Sequence, residues 1–144
     1  MIEVNNLTHI KINEKLLKKI AGKVLKNERK DLDLSIALVS HKEIENLNRK
    51  YRKKNRTTDV LSFLYNSLGE VVICPQVIIK NAEKLREKFE RELIQVLIHG
   101  ILHLLGYDHE ISQKKTREME KKQNYYLKLC SVAKIRPLPN NNKN

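Results

Sequence analysis

The sequence predicts an α+β fold in which a small mixed sheet of about four strands is covered by helices. Short runs rich in β-branched and other apolar residues alternate with longer segments whose apolar residues recur every three or four positions, the period of an amphipathic helix. The chain has 144 residues, a length that suits one domain with a hydrophobic core. We therefore expect one domain over residues 1–134 and a frayed tail over residues 135–144, where the periodicity ends.

Two strands and two helices are expected in the first part of the chain. Residues 2–6 alternate like a strand, and residues 11–26 carry an apolar stripe with lysines elsewhere, as in an amphipathic helix. Apolar and mostly polar residues alternate over residues 32–39, which indicates a second strand. Ser40 then predicts the start of a helix over residues 41–51, because a serine side chain can accept a hydrogen bond from a helix N-terminus.

The rest of the chain is expected to supply two further strands and three helices. The predicted strands cover residues 60–65 and 71–74, and the predicted helices cover residues 75–84, 89–105 and 113–130. Residues 66–69 are typical of a turn, so a hairpin is the simplest connection between these strands. Pro75 suits the first turn of a helix, and Ser112 can cap the last one. The helix over residues 89–105 is apolar almost all round, which predicts a central, buried helix.

Three of the five histidines lie close together, in this central helix and just after it. His99 and His103 are four positions apart, so a helix places them on one face, about one turn apart, where they can bind the same ion. Gly106 tolerates the positive φ that ends a helix, which lets His109 approach from the side. Three imidazoles leave one tetrahedral position open to water, as in a catalytic zinc site. We predict zinc at His99, His103 and His109, although nickel, copper or iron would also suit these ligands.

A run of cations precedes the third predicted strand. Its basic residues are Lys50, Arg52, Lys53, Lys54 and Arg56. The whole chain has 29 Lys+Arg against 17 Asp+Glu, a formal net charge of +12, which favours polyanionic partners. Arginine can bind a phosphate through two N–H groups, and Tyr51 could stack on an unpaired base. Beside an open metal site, this run predicts metal-assisted hydrolysis of a phosphodiester.

The sequence also bears on the compartment of the protein. No segment has the length and apolar character of a transmembrane helix, and the first residues do not resemble a secretory signal. Cys74 and Cys130 are far apart and outside any C-x-x-C pattern, as expected of reduced thiols. We expect a cytoplasmic protein with no membrane partner.

Gly100 separates this histidine pattern from that of a peptidase. The spacing matches the metzincin pattern H-E-x-x-H-x-x-G-x-x-H, except that Gly100 replaces the glutamate that acts as general base. Asp108 and Glu110 could partly replace this carboxylate, but each could equally be a partner of a histidine. One alternative that stays open is a zincin-like peptidase or amidase. The residue that handles the proton is not identified.

Three motifs together resemble one bacterial family. His99-Gly-Ile-Leu-His103-Leu-Leu-Gly106-Tyr-Asp-His109, preceded by Thr58-Asp-Val-Leu-Ser-Phe63 and Gly69-Glu-Val-Val-Ile-Cys74, is similar to the YbeY family over residues 47–109. The resemblance implies a single-strand-specific metallo-endoribonuclease, usually with zinc. It further implies roles in maturing the 3′ end of 16S ribosomal RNA in the small ribosomal subunit and in ribosome quality control. A second alternative stays open beside this one: an RNA-binding ribosome-assembly factor whose metal holds the fold.

The resemblance also assigns roles to residues. It implies that the three motif histidines are the metal ligands and that Arg52 is the functional arginine of the family. The chain departs from the family pattern at Leu64, where proline is usual, and at Glu70, where aspartate is usual. The first departure concerns the end of a strand, and the second keeps the carboxylate but lengthens its reach.

Overall fold

The computed structural model describes residues 1–54, 58–107 and 112–135 and has the expected α+β architecture. The elements in chain order are β1 Ile2–Asn6, α1 Glu14–Asn27, β2 Asp33–Leu38, α2 His41–Arg52, β3 Val60–Tyr65, β4 Leu68–Ile73, α3 Pro75–Leu85, α4 Phe89–Leu104 and α5 Gln113–Ile135. The predicted single domain, with its boundary at residue 134, stays a prediction. Residues 136–144 of the expected tail lie outside the described residues.

The four strands form one mixed sheet in the order β1-β2-β4-β3. Strands β1, β2 and β4 run parallel, whereas β3 pairs antiparallel with β4 and forms an open edge of the sheet. The pairing of Tyr65 with Leu68 leaves a two-residue turn, in which Asn66 has a φ of 54°. Asparagine tolerates this left-handed conformation better than most residues, so the predicted hairpin is confirmed with a tight turn.

Three predicted boundaries differ from the structure by three residues or more: the start of β4, the start of α1 and the end of α5. Strand β4 begins at Leu68 rather than at residue 71, because residues 68–70 pair with β2 on one side and β3 on the other. Glycine suits position 69 in this strand, since a Cβ there would lie 2.4 Å from the Leu104 side chain. Helix α1 begins at Glu14 because the Asn13 side chain accepts a hydrogen bond from the backbone N–H of Leu16 at 3.1 Å. Helix α5 continues five residues beyond the predicted end at residue 130.

Other expected elements are confirmed closely. β1 and β3 have the predicted bounds, and Pro75 lies in the first turn of α3. The Ser40 side chain caps α2 by accepting from the backbone N–H of Glu43 at 3.2 Å. Ser112 caps α5 in the same way, with the backbone N–H of Lys115 as donor. These caps depend on neighbours in sequence, which is why the sequence predicts them.

Helix α4 lies at the centre of the larger of two hydrophobic clusters. Leu97 and Ile101 are fully buried against the sheet face to which Val71 also points, with α1 and α5 packed alongside. The smaller cluster covers the other face of the sheet, where Val72 meets Ile44 of α2. A rigid, buried helix therefore carries His99 and His103, as the sequence predicts.

Two structural findings concern possible membrane segments and the two cysteines. Within the three described segments, no helix is both long and apolar enough for a membrane crossing. Cys74 and Cys130 are both buried, and neither forms a disulfide.

Candidate active site

The central helix brings His99 and His103 together on one face. Their ring centroids are 6.4 Å apart, the planes are inclined by 32°, and both side chains are half-buried. Nδ1 of His99 lies 2.8 Å from Oε1 of Gln123 on α5. Because an amide oxygen can only accept, Nδ1 donates this hydrogen bond, and the neutral ring carries its lone pair on Nε2. The orientation and tautomer of His99 are therefore set for a ligand through Nε2.

The spacing of this pair is close to that of two histidines on one metal ion. A tetrahedral zinc ion about 2.1 Å from a nitrogen of each ring would hold the ring centroids about 5–5.5 Å apart. The observed 6.4 Å is about 1 Å wider, so the two rings would turn towards each other to share an ion. His109, the third predicted ligand, lies outside the described residues, and within those residues no group of three His, Cys, Asp or Glu side chains is placed to hold a metal. Of the predicted ligands, the structure therefore places two.

Gly100 lies between the two histidines on the side of α4 that meets the sheet. A Cβ at this position would be 3.0 Å from Cγ2 of Val60 and 3.0 Å from Cγ1 of Val71. Such distances are shorter than ordinary contacts between carbon atoms. A glutamate side chain here would have to displace both valines, which gives a packing reason for the absent general base and disfavours the peptidase alternative.

Ser62 connects this helix to the basic run. Its hydroxyl donates to the backbone carbonyl of Gly100 at 2.8 Å, and its own backbone carbonyl accepts from Nη2 of Arg52 at 2.7 Å. In an antiparallel pair, the carbonyls of successive residues point alternately towards the partner strand and away from it. The carbonyl of Asp59 points towards the β4 side, because it accepts from the Cys74 N–H. The carbonyl of Ser62, three residues on, therefore points to the open edge of the sheet. Arg52 is thus held at this edge by Ser62, the residue that also hydrogen-bonds α4, the helix that carries the histidines.

Arg52 is well suited to meet a phosphate at this position. It is exposed at the end of α2, and its guanidinium carbon lies 5.4 Å from the ring centroid of Phe63. The bond to Ser62 uses one of five N–H donors of the guanidinium. Its predicted role in catalysis stays a prediction.

The structure places three of the four predicted RNA-binding cations. Lys50, Lys53 and Lys54 are exposed around the end of α2, whereas Arg56 lies outside the described residues. Lys53 ends the helix in a left-handed conformation, with a φ of 57°. These lysines share a surface with Arg52, and their role in RNA binding stays a prediction.

Tyr107 is anchored just after the helix by one buried carboxylate. Gly106 has a φ of 105°, as expected where the helix ends, and Tyr107 OH donates to Oε1 of Glu28 at 2.8 Å. Oε2 of Glu28 accepts from Lys122 Nζ at 3.0 Å and from Tyr126 OH. Burial alone would raise the pKa of Glu28, but the hydrogen bonds from Tyr126, Lys122 and Tyr107 outweigh it and lower the pKa. A charged Glu28 therefore joins the end of α1, the segment after α4, and α5.

Two carboxylates of α4 and α5 were not singled out by the sequence. Glu92 lies on the face of α4 that carries His99, two turns earlier, and burial, Asp59 and Glu87 together raise its pKa. Glu120 lines a cavity of about 460 Å³ between α4 and α5, together with His99 and Gln123. The sequence carries no signal for Glu120 or Gln123, because their roles depend on how α5 packs against α4.

The two departures from the family pattern are accommodated by the hairpin. Leu64 is 55% exposed, and β3 continues through it to Tyr65. Glu70 is half-buried in β4, directly opposite Phe63.

Two histidines on one helix face suit a metal ion, and an arginine at the neighbouring sheet edge suits a phosphate, so the site fits the class of hydrolases that cleave phosphodiesters. Comparison with known proteins specifies this class further. The family model described as "Endoribonuclease YbeY" matches residues 2–131. The chain belongs to the YbeY family.

Individual relatives agree with this membership. An endoribonuclease YbeY of Thermotoga petrophila is 43% identical over 72% of this chain and 71% of the relative. That of Ruthia magnifica is 40% identical over 94% of this chain and 96% of the relative. The match with the solution structure of TM1509 from Thermotoga maritima covers 100% of this chain and 100% of that one, with 36% identity and a TM-score of 0.71.

Proposed function

We propose that this chain is a metal-dependent endoribonuclease that cuts single-stranded RNA in the cytoplasm. Its proposed substrate is the 3′ end of 16S ribosomal RNA in the small ribosomal subunit, and its proposed roles are maturation of that end and ribosome quality control. Membership of the YbeY family supports the reaction class. The observation that carries the proposal is the pair of hydrogen bonds through Ser62, which brings Arg52 next to the helix of His99 and His103.

The proposed cofactor is one zinc ion held by His99, His103 and His109. The tautomer set by Gln123 and the position of the two described rings on one face of α4 support this ligand set. When bound, zinc would supply a Lewis acid and lower the pKa of coordinated water to about 7.

The basic residues of the chain bind the RNA and its scissile phosphate. Arg52 binds two oxygens of the scissile phosphate and stabilises the negative charge that grows on them in the transition state. Lys50, Lys53, Lys54 and Arg56 attract the RNA strand through its phosphates. The products distinguish two nucleophiles, since a 2′,3′-cyclic phosphate implies attack by the 2′-hydroxyl of the RNA and a linear phosphate implies attack by water.

Metal analysis and RNA cleavage together test the proposal. We expect the purified protein to hold about one zinc ion, and cleavage of single-stranded RNA to stop on chelation and return when zinc is added. Purified His103→Ala protein, prepared identically, controls for contaminating nucleases. Bound metal without any cleavage by the wild type would instead support the assembly-factor alternative.

Arg52→Ala tests the assigned arginine. We expect the cleavage rate to fall by about 10²–10³ with the metal content unchanged, because one preorganised charge at the phosphate is lost. Arg49→Ala, which removes the same charge from α2 one turn earlier, is the matched control and is expected to cleave much faster than Arg52→Ala. An Arg52→Ala protein that cuts at the wild-type rate would disprove the assignment.

A further inference from the structure

Three aromatic rings form a row on one face of the hairpin. The centroids of Tyr51 and Phe63 are 5.4 Å apart in an edge-on arrangement, and those of Phe63 and Tyr65 are 6.4 Å apart with the ring planes only 21° from parallel. Phe63 and Tyr65 are two positions apart in β3 and therefore point to the same face of the sheet. We call Tyr51, Phe63 and Tyr65 the aromatic row.

The ends of the aromatic row are open to solvent. Tyr51 is 51% exposed and Tyr65 is 49% exposed. Aromatic side chains stabilise a fold mainly through the area they bury, so these two rings leave much of that area in water. Leu68, opposite Tyr65 in the hairpin, is also 44% exposed. Within the described part of the chain, the small cluster under α2 covers Phe63 in part but leaves both tyrosine rings accessible.

Cations lie along the same row. Lys50 Nζ is 5.2 Å from the ring centroid of Tyr51, and the guanidinium carbon of Arg52 is 5.4 Å from that of Phe63. One carboxylate, Glu70, is directly opposite Phe63 in the hairpin. Exposed π faces flanked by cations match a ligand that has both planar rings and negative charge, which is the chemistry of an unpaired nucleic-acid strand.

The aromatic row begins at Arg52, the arginine of the candidate active site, on the sheet face opposite α4. Arg52 contacts the ring of Phe63 and hydrogen-bonds Ser62, the residue whose hydroxyl binds α4. Tyr65 lies three residues along β3 from Ser62, about 10 Å at the usual rise of a strand. A strand whose phosphate is bound at Arg52 could therefore lay its neighbouring bases on the row.

We propose that the aromatic row is a base-stacking platform for unpaired nucleotides next to the scissile phosphate. This inference rests on the proposed ribonuclease function and adds the basis of its preference for single strands. Bases in a duplex are stacked on one another and cannot lie on tyrosine rings, whereas unpaired bases can. The platform is tolerant of sequence, since every base has a π face.

Substitution of Tyr65 tests the platform. The probe is a short, labelled, single-stranded uridine RNA with 2′-O-methyl groups, checked on a gel to be intact, and affinity is measured by fluorescence anisotropy with the metal-loaded protein. We expect Tyr65→Ala to raise the Kd about 5- to 100-fold, the effect of losing one stacked base. Tyr65→Phe keeps the ring and should bind like the wild type. Leu68→Ala, which removes a neighbouring exposed apolar side chain, should also leave the Kd unchanged.

Salt dependence and a duplex probe separate stacking from charge. Tyr65→Ala should leave the salt dependence of the Kd unchanged, whereas Lys50→Ala should reduce its logarithmic slope by about 0.7 for one lost phosphate contact. Affinity for duplex RNA should not change in Tyr65→Ala. Tyr51→Ala on α2 gives an independent reading that does not alter the edge strand.

The outcomes distinguish the platform from the proposed function. Equal affinity of the wild type, Tyr65→Ala and Tyr51→Ala for the single strand overturns the platform, even if the wild type cuts RNA. An equal loss for single strand and duplex overturns it too, as does a wild type that binds no RNA, which would favour a protein partner for this surface. A wild type that binds the single strand through the tyrosines but cuts no RNA supports the platform and refutes the nuclease.

Discussion

Replacing Gly100 by alanine measures how closely the histidine helix is pressed against the sheet. The added Cβ would lie 3.0 Å from one methyl group each of Val60 and Val71 and 3.4 Å from the Ser62 hydroxyl. Such overpacking costs about 1–3 kcal/mol, while alanine in a helix gains about 1 kcal/mol over glycine. We therefore expect Gly100→Ala to lower the free energy of unfolding by about 0–2 kcal/mol.

Gly22→Ala is the matched control for this prediction. Gly22 lies inside α1, and its added Cβ would find Ile2 Cδ1 at 3.8 Å, an ordinary contact. This variant should therefore gain about 1 kcal/mol, so that the two alanine variants differ by about 1–3 kcal/mol. Urea unfolding at 25 °C measures both. If Gly100→Ala were stabilised as much as Gly22→Ala, the close contact inferred for Gly100 would be wrong.

Two further predictions concern the contacts that α5 makes. Because its hydrogen-bond donors lower the pKa of Glu28, this carboxylate should stabilise the fold above its unfolded pKa near 4.5, and the stabilisation should be lost as the pH falls through the folded pKa. Glu28→Gln should therefore be about 1–3 kcal/mol less stable than the wild type in urea at pH 7 and closer to it at pH 3, and a difference independent of pH would contradict the charged state of Glu28. Gln123→Leu should weaken zinc binding about 10- to 100-fold in competition with a chelator. Gln95→Leu, from the same cavity wall, should not do so, and equal zinc affinity of both variants would remove Gln123 from the support of His99.

The sequence predicts most of the fold because many of its determinants are local. The alternation in β1 and β3, the serine caps of α2 and α5, and Pro75 each act within a few residues. The start of β4 was missed for the opposite reason. Gly69 is typical of a turn when only its neighbours are considered, but it pairs with Leu34 of β2 in the sheet, and Leu104, which is distant in sequence, lies where a Cβ would be.

The same distinction holds for the candidate site. His99 and His103 could be paired from their spacing alone, because one helix places both. Gln123, by contrast, meets His99 only through the packing of α5 on α4. Arg52 meets Ser62 only because the end of α2 lies beside the edge strand β3. Periodicity says that a residue is on the outer face of a helix, but it does not say which distant side chain that face will meet.

The position of α5 at the end of the described chain has a consequence for protein synthesis. Translation proceeds from the N-terminus, so His99 and His103 leave the ribosome before the helix that holds their surroundings in place. Gln123, Lys122 and Tyr126 all belong to this late helix. A nascent or prematurely ended chain that stops before Gln123 would contain the histidine helix without the acceptor that orients His99. A copy that stops before α5 would thus have its two helical histidines without the contact that orients them, so the ordered site requires that α5 has been synthesised.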